Sequence, residues 1–264
     1  MKNIVEVDLI EKQKNHFNEI AETYFQARSN PNLQLLKNLI WQRFFARNKK
    51  ISVSISRVLE PMCGYAEGNL LLKQFLLKKF EYYGFDYSEN IVAYGREINP
   101  ELKIDIGNVV NFKSIADEKF DLIILIGGLH HVYSNASSVI QNLSDSLTKG
   151  GYFISYEPTQ NNFVSRYLRK KIYNKNIIFD NDTEQGFELN ELDRHFIDAG
   201  FKKIDQIYPG LLSYILYYNP DAFPKLNIGG TTLVRISFLF DTLFWGNIIG
   251  RYFSFATLSL WQKI

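Results

Sequence analysis

Two acidic side chains, Glu60 and Asp86, each close a short apolar run, Val58-Leu59-Glu60 and Tyr82-Tyr83-Gly84-Phe85-Asp86. Between them a small-residue turn, Pro61-Met62-Cys63-Gly64-Tyr65-Ala66-Glu67-Gly68, opens a leucine-rich helix expected over 69–79. Strand, glycine turn and helix N-terminus together make a nucleotide-type binding site. Glycine lets backbone N–H groups approach an anionic group, and the helix dipole favours negative charge there. An acid at the end of the second strand can take both hydroxyls of a ribose. The two marks together carry much more than either alone. Two further apolar runs end in groups that move protons: Phe120–Gly127 leads into His130-His131, and Tyr152–Tyr156 into Glu157. A histidine at that edge is a candidate general base, and Glu157 a candidate for contact with a reactant. The alternatives are that the histidines pack on a ligand or cap the next helix, and that Glu157-Pro158 fixes a turn.

These residues need a scaffold that brings strand ends together. Short β-rich runs at 57–60, 82–86, 102–106, 120–127 and 152–157 alternate with helical stretches, which predicts a parallel sheet covered on both faces. The run 120–126 is almost wholly apolar, as in a central parallel strand. A helix over 188–199 ends at Gly200 and precedes a sixth strand at 202–208; 253–261 alternates and reads as a last strand. Before the sheet, Phe17, Ile20, Ala21, Tyr24 and Phe25 form one helical stripe, Asn30-Pro31 breaks it, and 33–46 forms a second helix. The expected organisation is α/β: a doubly wound, Rossmann-like, seven-stranded core over 51–208, a helical N-terminal lid over 1–50, and a cap insertion with the final strand over 209–264. An insertion over 159–185 carries Arg166, Arg169, Lys170, Lys171 and Lys175, readable as a solvated helix face or as a site for an anionic substrate group or lipid head group.

Composition narrows the class. The chain has 264 residues, 46% hydrophobic and 22% charged, as folded globular proteins do. A net charge of +2 gives no pull on nucleic acid. The single cysteine, Cys63, excludes an internal disulfide, and with no apolar signal core or spanning segment the expected location is cytoplasmic. Four histidines and one cysteine fall in no metal-ligand spacing, so no metal is expected.

As an ordered set the motifs resemble the class I S-adenosylmethionine-dependent methyltransferases, in particular the small-molecule, type 11-like subgroup. The resemblance rests on Leu59-Glu60-Pro61-Met62-Cys63-Gly64, Gly84-Phe85-Asp86-Tyr87-Ser88, Phe120-Asp121-Leu122-Ile123 with Leu129-His130-His131-Val132, and Leu147-Thr148-Lys149-Gly150-Gly151. It covers about residues 17–208. It implies S-adenosyl-L-methionine as cofactor, with Glu60 orienting its amino end and Met62, Cys63 and Gly64 in the turn. It further implies Asp86 and Tyr87 at the ribose, Asn108 and Val109 at the adenine, Gly127 near the methionine part and Tyr24 closing over the whole.

The turn departs from the family's E-x-G-x-G-x-G at two positions, Met62 and Ala66, and Asn108 stands where the family has Asp. An Asn-Pro-Pro-Tyr after the fourth strand is missing, which argues against nucleic-acid bases as acceptor. The implied activity is methyl transfer, at oxygen, to a small-molecule or lipid-linked metabolite. The rivals are a scaffold that binds the cofactor without reaction and a nicotinamide-dependent oxidoreductase. The aromatic cap, with Leu233, Ile236, Phe240 and Leu243 at helical spacing, reads as an element buried on the sheet, as a pocket for a bulky apolar substrate, or as a patch for peripheral membrane contact.

Overall fold

The computed structural model describes residues 2–113, 119–162, 166–167, 185–220 and 223–264. Among these, the strands are β1 (Arg57–Pro61), β2 (Glu81–Asp86), β3 (Lys103–Ile106), β4 (Phe120–Ile126), β5 (Leu147–Pro158), β6 (Phe201–Ile207) and β7 (Ala256–Lys263). They form one sheet in the order β3-β2-β1-β4-β5-β7-β6. β1 to β5 run parallel, and β7 inserts antiparallel between β5 and β6. The strand order reverses between β1 and β4. Open α/β sheets bind ligands at such a switch point, outside the carboxyl ends of the strands.

The helices are α1 (Lys2–Arg28), α2 (Pro31–Arg47), α3 (Ile51–Ser54), α4 (Glu67–Phe75), α5 (Glu89–Ile98), α6 (Ala136–Asp145), α7 (Leu189–Asp198), α8 (Leu212–Tyr217), α9 (Gly230–Thr242) and α10 (Ile248–Phe253). Strand alternation sorts the core into two layers. Leu122 and Ile124 of β4 join Val58, Ile154 and the apolar faces of α2 and α4 on one side. Ile123 and Leu125 join Leu59, Phe153 and the faces of α6 and α7 on the other. α2 starts where Asn30 accepts the N–H groups of Asn32 and Leu33, with Pro31 in the first turn. It then buries Leu33, Leu36, Ile40, Trp41 and Phe44 completely.

Three boundaries differ from the sequence reading. α1 begins at Lys2. β5 begins at Leu147, not at the expected 152; Leu147 pairs with Phe120 before a register break, so residues 147–151 form a bulged strand start with Gly150 at φ +78°. β7 begins at Ala256, because α10 takes Phe253 and its cap Ser254. The stripe of Leu233, Ile236, Phe240 and Leu243 on α9 faces outward, not onto the sheet. Val234 and Phe238 are the residues of α9 that fill the core. Periodicity finds the stripe, and the packing of α9 on α2 chooses which side is covered.

Candidate active site

β1 delivers Glu60 to the carboxyl edge of the sheet, where it is 2% exposed. Its Oε1 accepts the Gly68 N–H at 2.7 Å, and its Oε2 accepts the Asn69 N–H at 3.2 Å and the Tyr82 hydroxyl at 2.7 Å. The carboxylate thus fills the N-terminus of α4, where the orphan N–H groups and the helix dipole favour an anion. The sequence reading took this terminus as open to an anionic ligand; the chain's own side chain occupies it. A Cβ on Gly68 would sit 2.7 Å from the carboxylate, so only glycine fits there. Burial pushes the Glu60 carboxyl up to about 8, against the Tyr82, Gly68 and Asn69 donors that hold it down.

The turn after Glu60 keeps a left-handed backbone at alternate positions: Met62 has φ 53°, Gly64 φ 55° and Ala66 φ 67°. Those are the three glycine positions of the turn pattern. A left-handed L-residue costs roughly 1–2 kcal/mol, so Met62 and Ala66 store strain that the surroundings must hold. Met62 is held by packing on the loop after β4: a Cβ on Gly128 would come 2.9 Å from Met62 Sδ. Cys63 is buried, and burial followed by the Glu60 and Asp86 charges pushes its thiol well up, so it stays protonated.

Asp86, 6% exposed, closes the turn from the next strand. Its Oδ2 accepts the Gly64 N–H at 3.0 Å, and its Oδ1 accepts the Ser88 N–H at 3.0 Å. Burial raises its pKa, while the Ser88 and Gly64 donors and the nearby His131 lower it. At the end of β3, Asn108 Oδ1 accepts the Val110 N–H at 2.9 Å and caps a single helical turn that begins at the buried Val109. Gly127, at φ +63°, ends β4 and donates to the Tyr156 carbonyl at 2.7 Å.

A second unit follows β4. Glu157 is fully buried, and its Oε1 accepts the N–H groups of Gly128 at 3.0 Å and Leu129 at 2.9 Å. Its Oε2 lies 3.3 Å from the His130 N–H and 3.1 Å from His130 Nδ1. With Nδ1–H donating to Glu157, Nε2 of His130 is the ring atom able to take a proton. Burial pushes the Glu157 carboxyl up to about 7, against the Leu129 and Gly128 donors and the His131 charge. Glu157 therefore sits behind His130 as its orienter. The His131 ring lies 3.9 Å from that of His130, and its Nδ1 is 2.9 Å from Gln13 Nε2.

α1 ties the two units together. Phe17 contacts the rings of both Tyr87 (6.4 Å) and His131 (5.2 Å). Asn18 Oδ1 accepts from Ser88 Oγ at 2.7 Å, and the Asn18 backbone carbonyl accepts from Asn90 Nδ2 at 3.0 Å. Phe25 lies edge-on to Tyr65 at 5.3 Å. Tyr24 is on this helix, but its side chain is outside the described residues. Sequence reasoning missed Gln13, which is 3% exposed; its place four residues before Phe17 on the same stripe was the available signal. Of the insertion cations, Arg166 pairs with Glu188 at 2.6 Å, and Arg169, Lys170, Lys171 and Lys175 lie outside the described residues. Beside β5, the Tyr156, Tyr218 and Tyr214 rings follow one another at 5.5 and 4.5 Å, with the buried Lys37 over Tyr218 and paired to Glu67.

The sheet order and the acid-turn-acid edge define a class I methyltransferase core. A family model described as a methyltransferase domain matches residues 53–200, more than half of the chain. The chain belongs to that family, the S-adenosylmethionine-dependent methyltransferases. No curated protein matches it by sequence. Solved structures share the fold at low identity. A protein proposed to be a sarcosine dimethylglycine methyltransferase from Galdieria sulphuraria superposes with a TM-score of 0.60 at 11% identity, covering 86% of each chain. An S-adenosylmethionine-dependent methyltransferase from Mesorhizobium loti gives 0.53 at 14% identity, over 80% of this chain and 93% of its own. The [4+2]-cyclase SpnF gives 0.55 at 12%, over 84% and 80%.

Two glycine substitutions separate strain from collision. Gly64→Ala meets no atom closer than Ile91 Cγ2 at 4.0 Å, so urea unfolding should read only the left-handed penalty of about 1–2 kcal/mol. Gly68→Ala must displace the Glu60 carboxylate and should cost about 3 kcal/mol or more. Equal losses would show that the carboxylate is not anchored at α4. The pH dependence has a definite sign. The folded pKa of Glu157, about 7, lies above its ordinary value of 4.5. The native state therefore binds the extra proton. Its contribution to stability is complete below about pH 4.5 and is lost as pH rises to about 7, on the order of 3 kcal/mol. Unfolding free energies measured across that window should fall with pH, and Glu157→Gln should flatten the slope.

Proposed function

We propose that the chain methylates an oxygen of a small-molecule or lipid-linked acceptor, with His130 as general base. The observation that carries the reading is the pair of hydrogen-bonded units at one sheet edge: a carboxylate-braced turn beside Asp86, and a histidine braced by the buried Glu157. S-adenosylmethionine supplies a methyl group already activated on a sulfonium, open to in-line displacement. Three features of the site fit this cofactor. The left-handed turn brings backbone to the carboxyl edge of the sheet, Asp86 keeps lone pairs beyond its two backbone donors, and the α4 terminus is filled. A filled terminus suits a cofactor without phosphate and disfavours a dinucleotide, whose pyrophosphate needs those N–H groups.

In this reading Met62, Cys63, Gly64 and Gly127 shape the methionine side, with Glu60 as the positioning residue that holds the turn. Asp86 and Tyr87 take the ribose, Asn108 and Val109 the adenine, and α1 with Tyr24 covers the cofactor. Positioning in such a displacement supplies roughly 7–11 kcal/mol. His130 Nε2 accepts the acceptor hydroxyl's proton as oxygen takes the methyl group, and Glu157 stabilises the imidazolium. His131 and Gln13 orient the pair. Part-exposed Tyr214, backed by the buried Tyr218 and Tyr156 rings, suits contact with an apolar or aromatic acceptor body, and contact of the cap with a membrane would bring a lipid-linked one.

Calorimetry tests the first half. The chain should bind S-adenosylmethionine or S-adenosylhomocysteine, and Asp86→Asn should raise Kd about tenfold, equivalent to about 1.4 kcal/mol. No binding at millimolar ligand sinks the reading. Transfer of a labelled methyl group into a lipid or metabolite extract tests the second half. His130→Ala should lower the rate roughly 10²–10⁴-fold with cofactor affinity unchanged. Cofactor binding with no transfer to any fraction would instead favour a non-reacting scaffold.

A further inference from the structure

We propose that the cap docks on the surface of an anionic lipid membrane through the outward face of α9 and the adjoining α10. α9 carries two stripes at spacings of three and four. The stripe turned inward is Val234, Ser237, Phe238 and Asp241, all buried. Its polar members are satisfied there. Ser237 Oγ donates to the Leu233 carbonyl at 2.9 Å, and Asp241 accepts the N–H groups of Leu212 at 3.1 Å and Ser213 at 2.7 Å, capping α8. The stripe turned to solvent is wholly apolar: Ile236 is 56% exposed, Leu239 61%, Phe240 52% and Leu243 68%. α10, which begins at Ile248 shortly after α9, exposes Ile248 and Phe253, 74% and 50%. The usual amphipathic order is blurred: Ser237 and Asp241 lie inside beside Val234 and Phe238, while four large apolar side chains lie outside. Large apolar side chains exposed at helical spacing in this way mark an interaction site.

Charge selects lipid as the occupant. Between residues 223 and 255 the charged residues are Lys225, Arg235, Asp241 and Arg251. The one acid, Asp241, is fully buried, whereas Lys225 and Arg235 are exposed. Water sees apolar side chains edged by cations, the pattern that binds anionic headgroups while its apolar face enters the acyl boundary. A second copy of the chain would bring the same cations and no exposed acid from this face to meet them. With 13 residues, α9 is about 20 Å long, too short for a hydrocarbon core of about 30 Å. No described helix is long and apolar enough to cross a membrane. α9 therefore lies in the interface plane. It packs on α2, which carries Lys37 and Trp41 beside the buried Tyr156 and Tyr218 rings. The proposal deepens the reading of a lipid-linked acceptor and rests on it for its purpose.

Cosedimentation of the full chain with vesicles tests it, using phosphatidylglycerol–phosphatidylcholine mixtures against phosphatidylcholine alone. The wild type should bind the anionic vesicles about tenfold more tightly or better, and less tightly at high salt. The double variant Leu239→Asp/Leu243→Asp should lose about a hundredfold in affinity, with its melting temperature kept. Arg235→Glu, at an exposed position, should lose about tenfold on anionic vesicles and nothing on neutral ones; it carries the test if the double variant unfolds. Absence of vesicle binding, equal binding by wild type and both variants, or a wild-type dimer that the aspartates dissociate would overturn the proposal. Cofactor affinity is measured separately on the same samples. Lost vesicle binding with intact cofactor binding defeats the membrane proposal alone; absent cofactor binding defeats the methyl-transfer reading.

Discussion

The burial of the Glu60 carboxylate in the first turn of α4 governs the rest of the site. An ionisable group at 2% exposure is tolerated because two backbone N–H groups and the Tyr82 hydroxyl meet it. That contact fixes where α4 starts relative to β1. Everything between, residues 61 to 66, must then turn back within a few residues, and a left-handed backbone is the way to do so. The strain at Met62 and Ala66 is a consequence of this anchoring, held by Asp86 from the side and by Gly128 beneath the methionine.

Glu157 repeats the device one strand-pair away. It too is a buried carboxylate that gathers consecutive backbone N–H groups, here from the loop after β4, and it orients His130 with the oxygen that remains. The carboxyl edge is thus organised by three inward acids, Glu60, Asp86 and Glu157, each raised in pKa by burial and each restrained by backbone donors. α1 adds a further link, from the loop after β2 to the histidines, through Phe17, whose ring meets those of Tyr87 and His131.

The cap obeys a different constraint. Its inner surface is shaped by α2 and by the capping demand of α8, which Asp241 meets. Its outer surface carries no such demand, and there the side chains are apolar and the charges basic. The methyltransferase core and the cap's outer face are independent in physical terms: one is set by hydrogen-bonded carboxylates, the other by apolar area and charge sign.

Much of this was legible in the residues alone. The alternation of β-rich and helical segments determined the sheet and its layers, because period and apolar run length are local properties. Glu60, Asp86 and the histidines stood out since each follows an apolar run that must end at one edge. Where each carboxylate spends its lone pairs was decided only by tertiary structure. Glu60 turned to α4 and Tyr82, Glu157 to the loop after β4, and Gln13 to His131, a partner 118 residues away. So was the outward turn of the apolar stripe on α9, since both of its stripes have helical spacing. Sequence pattern specifies which faces an element has; the neighbours it meets across the fold decide which face is covered and which donor a buried acid finds.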